Sequence, residues 1–208
     1  MVIAQIPEDE HDRIRALREY DILDSEHEKA FDNLAKIAST ICNTPIALIT
    51  IIDKDRQWFK AKVGVEVEET SRDIAFCAHA ILKPQEILEV PDALEDERFA
   101  TNPMVLSEPS LRFYAGVPLV NTEGYPLGTL CVIDSIPRKL DAKQKEFLSA
   151  LANQALLLFE LRKSHIIQKK IIEEKSMFES ALKNNEIRLQ GILDSANYSI
   201  ITTDPDGV

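Results

Sequence analysis

From Asp141 to Gln190 the chain runs without a glycine or a proline. Those residues weaken or end helices, so about 50 residues without them permit a helix several times the globular average of about 12. Asp141-x-x-Gln144 reads as a capping-box start, and Phe147, Leu148, Leu151, Ala155, Leu158 and Leu161 then form one apolar face. Farther on, Leu161, Ile171, Phe178, Leu182, Leu189 and Ile192 lie on one seam with a period of about 3.5 residues, which Ser164, Gln168, Lys175 and Asn185 interrupt. A marginal, dimeric coiled coil fits this pattern; a single solvated helix, or two helices broken near Ser176, are the other readings. A polar seam weakens pairing, which suits a helix that shifts between two packings.

The residues before it alternate helix and strand signals. Pro7 with Glu8, Asp9 and Glu10 predicts a helix reaching about Tyr20. Ser25-x-x-Glu28 predicts a capping box for a second helix with Phe31, Leu34, Ile37, Ala38 and Ile41 on its apolar face, ending before Pro45. IALITIID (46–53) reads as a strand buried on both faces. In QWFKAKV, Phe59, Ala61 and Val63 alternate with Trp58, Lys60 and Lys62, which predicts a strand with one wetter face. Residues 64–110 are irregular, with a short helix near 74–82 and a strand near 87–90. LRFYAGVPLV and PLGTLCVID form a hairpin around NTEGY, with Leu111, Phe113, Ala115, Val117 and Leu119 on one face. The expected class is α+β: an antiparallel sheet of five or six strands flanked by helices, with a long exit helix.

Charge narrows the partners. The chain holds 24 Lys+Arg against 35 Asp+Glu, for a formal charge of −11, and no dense basic patch to neutralise phosphates. Nucleic acid and anionic membrane surfaces are therefore unexpected partners. No apolar run approaches the roughly 18 residues of a membrane helix, and the first residues lack a signal-peptide pattern, so the chain reads as cytoplasmic. Cys42, Cys77 and Cys131 are three widely spaced cysteines in apolar stretches, which favours reduced thiols over a disulfide framework and offers no zinc spacing.

The succession SRDIAFCAHAIL, VPDALEDERFATNP, LRFYAGVPLVNTEGYPLGTLCVIDSIPRKL and KEFLSALANQALLLFELR resembles a bacterial GAF domain of the kind found in sensor histidine kinases and diguanylate cyclases. The resemblance spans about residues 8–163. It implies a six-stranded antiparallel sheet, a pocket for a small molecule, and a sensory role within a signal-transduction protein. The final RLQGILDSANYSIITTDPDGV (188–208) is similar to the opening of a PAS domain, giving an expected order of GAF domain 1–163, helical linker 164–188 and PAS start 189–208, cut before a PAS core. No phosphate loop, kinase or cyclase motif occurs in the sequence, so the chain itself is expected to be a regulatory module and not an enzyme.

Candidate site residues lie in the irregular segment and its flanking strand: Phe76, His79, Asp92, Arg98, Phe99, Asn102, Arg112 and Tyr114. Cys77 and His79 stand about 200° apart on a helix and do not form a catalytic couple; the simpler reading makes Cys77 a core thiol and His79 a hydrogen-bonded pocket residue. Bilin-binding members of the family have cysteine directly beside histidine, whereas Ala78 intervenes here, so no covalent bilin is expected. Asp92 and Asn102 read equally as turn and helix caps, with Arg98 paired to a carboxylate and Phe99 anchoring the loop. Arg112 and Tyr114 fall opposite Phe113 and so toward the pocket. The residue set of cyclic-nucleotide-binding members has no counterpart that can be placed. Cys77 and Cys131 lie on elements able to approach one another, which keeps a free methionine sulfoxide reductase as an enzymatic alternative, although the flanking residues do not match that pattern. A ligand-free dimerisation scaffold is the remaining alternative.

Overall fold

The computed structural model describes residues 1–108 and 110–194 in full and the helical backbone of 195–201. Among the described residues, 1–163 form one compact unit and 164–201 belong to a second. In chain order the elements are α1 (Glu10–Arg18), α2 (Lys29–Cys42), β1 (Ile46–Ile52), β2 (Arg56–Val63), β3 (Glu69–Ser71), a 3₁₀ turn (Arg72–Ile74), α3 (Phe76–Ala80), β4 (Leu88–Val90), α4 (Pro103–Leu106), β5 (Phe113–Val120), β6 (Pro126–Asp134) and α5 (Ala142–Ile201). The six strands form one sheet in the order β3-β2-β1-β6-β5-β4, and every neighbouring pair is antiparallel.

The sheet separates two apolar layers. Ala47, Ile49 and Ile51 of β1 face α2 and α5, while Leu48 and Ile52 face α3, α4 and the irregular segment. The reading of β1 as buried on both faces therefore holds. Thr50 shares the face of Leu48 and Ile52, and its hydroxyl lies 3.1 Å from that of Thr129 on β6, so these buried polar atoms satisfy each other. At the β5–β6 turn Gly124 takes φ +93°, a conformation glycine enters without steric cost.

Local signals in α5 translate directly. Asp141 Oδ1 accepts from the Gln144 backbone N–H at 2.8 Å, and Gln144 Oε1 accepts from the Asp141 N–H at 3.1 Å, a reciprocal capping box. The buried face, however, is Leu148, Ala152, Ala155 and Phe159, with Phe147 50% exposed and Leu161 66% exposed. On α2 the buried line is Phe31, Ala35, Ala38 and Cys42, and Ile37 is exposed. In both helices the buried face mixes alanines with larger side chains.

The second predicted capping box does not form. α2 begins at Lys29, and its N-cap Glu28 makes no side-chain cap. Ser25 instead receives Lys60 Nζ at 2.9 Å. This follows from a β-bulge: Ala61 pairs with Ile49 and Phe59 with Thr50, which leaves Lys60 as the extra residue. The bulge breaks the expected alternation, because Trp58 and Ala61 join the helix-side layer while Phe59 joins the other. It also overturns the wetter face expected for this strand. Lys60 is wholly buried, donating to Glu26 O at 2.6 Å and pairing with Glu28 Oε1 at 2.7 Å, with the Phe31 ring centroid 5.3 Å from its ammonium. Leu111 likewise departs from the face assigned to it: it precedes β5 and packs in the layer opposite Phe113.

Candidate functional site

On the sheet face away from α2 and α5 lies a cavity of about 240 Å³, walled by β1, β2, the segment 65–77, α4, and β5–β6. Its surface is apolar: Leu48, Phe59, Ile74, Phe76, Met104 and Ile133 are among the lining side chains, and none of the lining residues is charged. Two polar side chains interrupt this wall. Gln57 and Thr70 face each other across β2 and β3, and Gln57 Oε1 and Thr70 Oγ1 are buried with no hydrogen-bond partner. A buried polar atom left unpaired costs about 1–3 kcal/mol. Two adjacent ones, both on a cavity, describe a place where a ligand's hydrogen-bonding group would be held.

The far wall carries a thiol cluster. Cys77 of α3 and Cys131 of β6 have their sulfurs 3.8 Å apart, and Tyr114 donates its hydroxyl to Cys77 Sγ at 3.2 Å. Tyr114 reaches there because Gly116, two residues on, has no side chain: a Cβ at that position would lie 2.1 Å from the tyrosine oxygen. Burial raises the Cys131 thiol well above its ordinary value, with the neighbouring Cys77 adding to the effect. Cys77 is the more acidic of the two: burial opposes its thiolate, but hydrogen bonds from Cys131, Thr129, Thr50 and Tyr114 outweigh that penalty.

The candidate residues read from the sequence divide. Phe76 and Tyr114 line the cavity. Phe99 lies behind Phe76, ring on ring at 3.8 Å. Asn102 caps α4 through the Met104 N–H and donates to Ile74 O, while Asp92 accepts from the Leu94 N–H in a turn. Arg112 is spent on the carbonyls of Val105, Ser110 and Leu111, at 2.8–3.2 Å. His79 and Arg98 border a separate, open cleft. There His79 Nε2 is 3.1 Å from Val2 O, Arg98 O accepts from the Val2 N–H, and the Arg98 guanidinium pairs with Asp96 at 2.6 Å. Burial holds the His79 imidazole below its ordinary value, against the raising contact with Val2 O. Sequence reasoning missed Gln57 and Thr70. Gln57 had a signal, because it shares strand parity with Phe59.

Residues 26–157 match the GAF domain family. The chain belongs to the GAF domain family. A cyclic di-GMP phosphodiesterase of Pseudomonas aeruginosa is 45% identical to this GAF protein over 138 residues, which cover 66% of the chain and 23% of that relative. The chain thus spans about a quarter of the relative's length. Among solved structures, the GAF domain of an Acinetobacter phosphoenolpyruvate-protein phosphotransferase aligns with a TM-score of 0.56 at 19% identity, covering 76% of this chain and 96% of that one. A domain of a two-component sensor histidine kinase protein from Sinorhizobium meliloti gives 0.54 at 16% identity, over 68% and 97%. At such identities the likeness is one of fold. Among the described residues this GAF protein has no cluster of three His, Cys, Asp or Glu able to hold a metal, and no helix long and apolar enough to cross a membrane.

Proposed function

We propose that residues 1–163 are the regulatory input module of a signalling protein, and that the cavity binds a small, uncharged, largely apolar molecule with one hydrogen-bonding edge. The observation that carries this reading is the pair of buried, unpartnered atoms Gln57 Oε1 and Thr70 Oγ1 on an otherwise apolar wall. An engineered apolar cavity of about 150 Å³ holds benzene, so a cavity of about 240 Å³ suits one or two rings. A phosphate would enter without a cation to meet it, which argues against cyclic nucleotides as the ligand here.

The output chemistry we assign to cyclic di-GMP turnover in a longer parent protein, on the strength of the Pseudomonas relative. A histidine-kinase output, also expected from the resemblance, rests on fold likeness alone. In this reading α5 relays the bound state through a homodimer toward a PAS domain. Exposed Ile171, Phe178, Leu182 and Leu189 support a paired helix. The end of the expected PAS segment, 202–208, lies outside the described residues.

Thermal melts of the chain with a panel of neutral one- and two-ring amides and phenols test the ligand reading. A compound at about 100 times its Kd adds about 2.7 kcal/mol, or roughly 5–11 °C for a domain of this size, and Gln57→Leu combined with Thr70→Val abolishes the shift. No shift across the panel, with no small molecule released on denaturing the purified protein, would favour the dimerisation scaffold instead.

A further inference from the structure

We infer that Cys77 and Cys131 form a reversible dithiol–disulfide site in which Cys77 is oxidised first by a small hydroperoxide entering the cavity, and Cys131 resolves it. The site does not require the cavity to bind a ligand, so it stands or falls separately from the reading above.

Position assigns the order of events. Cys77 lines the cavity, so a small neutral oxidant that enters meets its sulfur. Cys131 lies behind it on β6, between β1 and β5, where it pairs with Leu48 on one side and Gly116 on the other. The thiolate is the reactive form of a cysteine, and Tyr114 O–H points at Cys77 Sγ from 3.2 Å, where it stabilises the charge as the thiol ionises. Cys42, the third thiol, packs with α2 in the layer on the other side of the sheet.

The chemistry balances. The Cys77 thiolate attacks one oxygen of the hydroperoxide, the O–O bond breaks, and the remaining alkoxide leaves as an alcohol after taking up a proton. Cys77 is then a sulfenic acid. The Cys131 sulfur attacks the Cys77 sulfur, the S–OH bond breaks, and hydroxide departs with the Cys131 thiol proton as water. Two thiols have lost two electrons, the peroxide has gained them, and a thiol reductant reverses the change.

Geometry allows the second step with a local shift. The sulfurs start 3.8 Å apart, so reaching a bond of about 2.05 Å requires an approach of about 1.8 Å. The five-residue α3 is bounded by the 3₁₀ turn on one side and by turns at residues 81–86 on the other, whereas β6 is hydrogen-bonded on both edges. The movement therefore falls on α3. Phe76, adjacent to Cys77, lines the cavity and carries the stack on Phe99, so oxidation reshapes the cavity wall.

The test treats the chain with a few equivalents of cumene hydroperoxide or hydrogen peroxide, then alkylates under denaturing conditions for intact and peptide mass spectrometry. The expected result is a loss of two hydrogens, a Cys77–Cys131 linked peptide, one remaining alkylatable thiol at Cys42, and full reversal by dithiothreitol. Cys131→Ser should halt at a sulfenic acid on Cys77 that dimedone traps, and Cys77→Ser should leave Cys131 reduced at the same dose. Three alkylatable thiols in the treated wild type, or a linkage through Cys42, overturns the proposal without recourse to the variants. Sulfenic acid on Cys131 in preference to Cys77 overturns the assigned order.

Discussion

Lys60 is wholly buried in the helix-side layer, and among the described residues Glu28 is the carboxylate paired with its side-chain nitrogen, at 2.7 Å. Glu28→Ala leaves that ammonium with only Ser25 Oγ and Glu26 O as partners. Removing one member of a buried ion pair costs about 3–5 kcal/mol. The side chain of Glu28 is 41% exposed, so solvent screening reduces the figure to about 1–3 kcal/mol. No helix cap is lost with it, since Glu28 makes none, and Arg162 keeps the carbonyls of Tyr20 and Asp21. At about 2–4 °C per kcal/mol for this chain length, a loss of about 2 kcal/mol lowers Tm by roughly 4–8 °C. Lys60→Met, which removes the charge and fills the space with a flexible apolar chain, should change stability by less than about 1.5 kcal/mol. The decisive measurement is urea denaturation of the double-mutant cycle: in the Lys60→Met background Glu28→Ala should cost only about 0.5 kcal/mol, the value of its half-exposed pair with Arg162. If Glu28→Ala costs the same in both backgrounds, the lysine does not depend on that carboxylate and the account of the bulge fails.

Gly116→Ala drives a methyl group into the Tyr114 hydroxyl, which lies 2.1 Å from that position; overpacking of this kind should destabilise by about 1–3 kcal/mol in denaturant melts, and a neutral variant would show that Tyr114 has room to move. Burial opposes ionisation of Glu10, but Arg13 at 2.6 Å and Arg72 outweigh it and hold the carboxyl below its ordinary value. Because the folded value is depressed, this stabilisation is complete above the unfolded glutamate value of about 4.3 and is lost as pH falls through the folded one; Glu10→Gln should flatten that acid limb of the stability profile, and an unchanged limb would remove Glu10 from its cause. If α5 pairs as proposed, light scattering finds the wild-type chain associated and Phe178→Asp with Leu189→Asp monomeric; association that survives both substitutions would place it elsewhere than on the exposed residues of α5.

The sequence was most informative where structure is set within a few residues. The Asp141 and Gln144 cap forms as read because both partners lie in one turn. The equivalent reading at Ser25 fails because Lys60, 35 residues away, takes the serine hydroxyl. That contact depends on a bulge, and a bulge leaves no period in the sequence of β2. The same limit governs the cavity. Phe76 and Tyr114 were legible from helix position and strand parity, but Thr70 lies on the three-residue β3, too short to show alternation. Asn102 and Asp92 are polar residues in the irregular segment, and Arg112 stands just before β5; in each place backbone groups left over from regular structure claimed the side chain.

The alanines beneath the helices have a consequence for packing. Ala35 and Ala38 of α2, and Ala152 and Ala155 of α5, fill little of the helix-side layer, which leaves its volume to a few large side chains, Tyr20, Phe31, Leu148 and Phe159 among them. Phe159 has its ring centroid 5.1 Å from Phe31 and 6.3 Å from Tyr20, so one ring ties α5 both to α2 and to the segment that follows α1. Removing it would open a cavity where three parts of the chain meet.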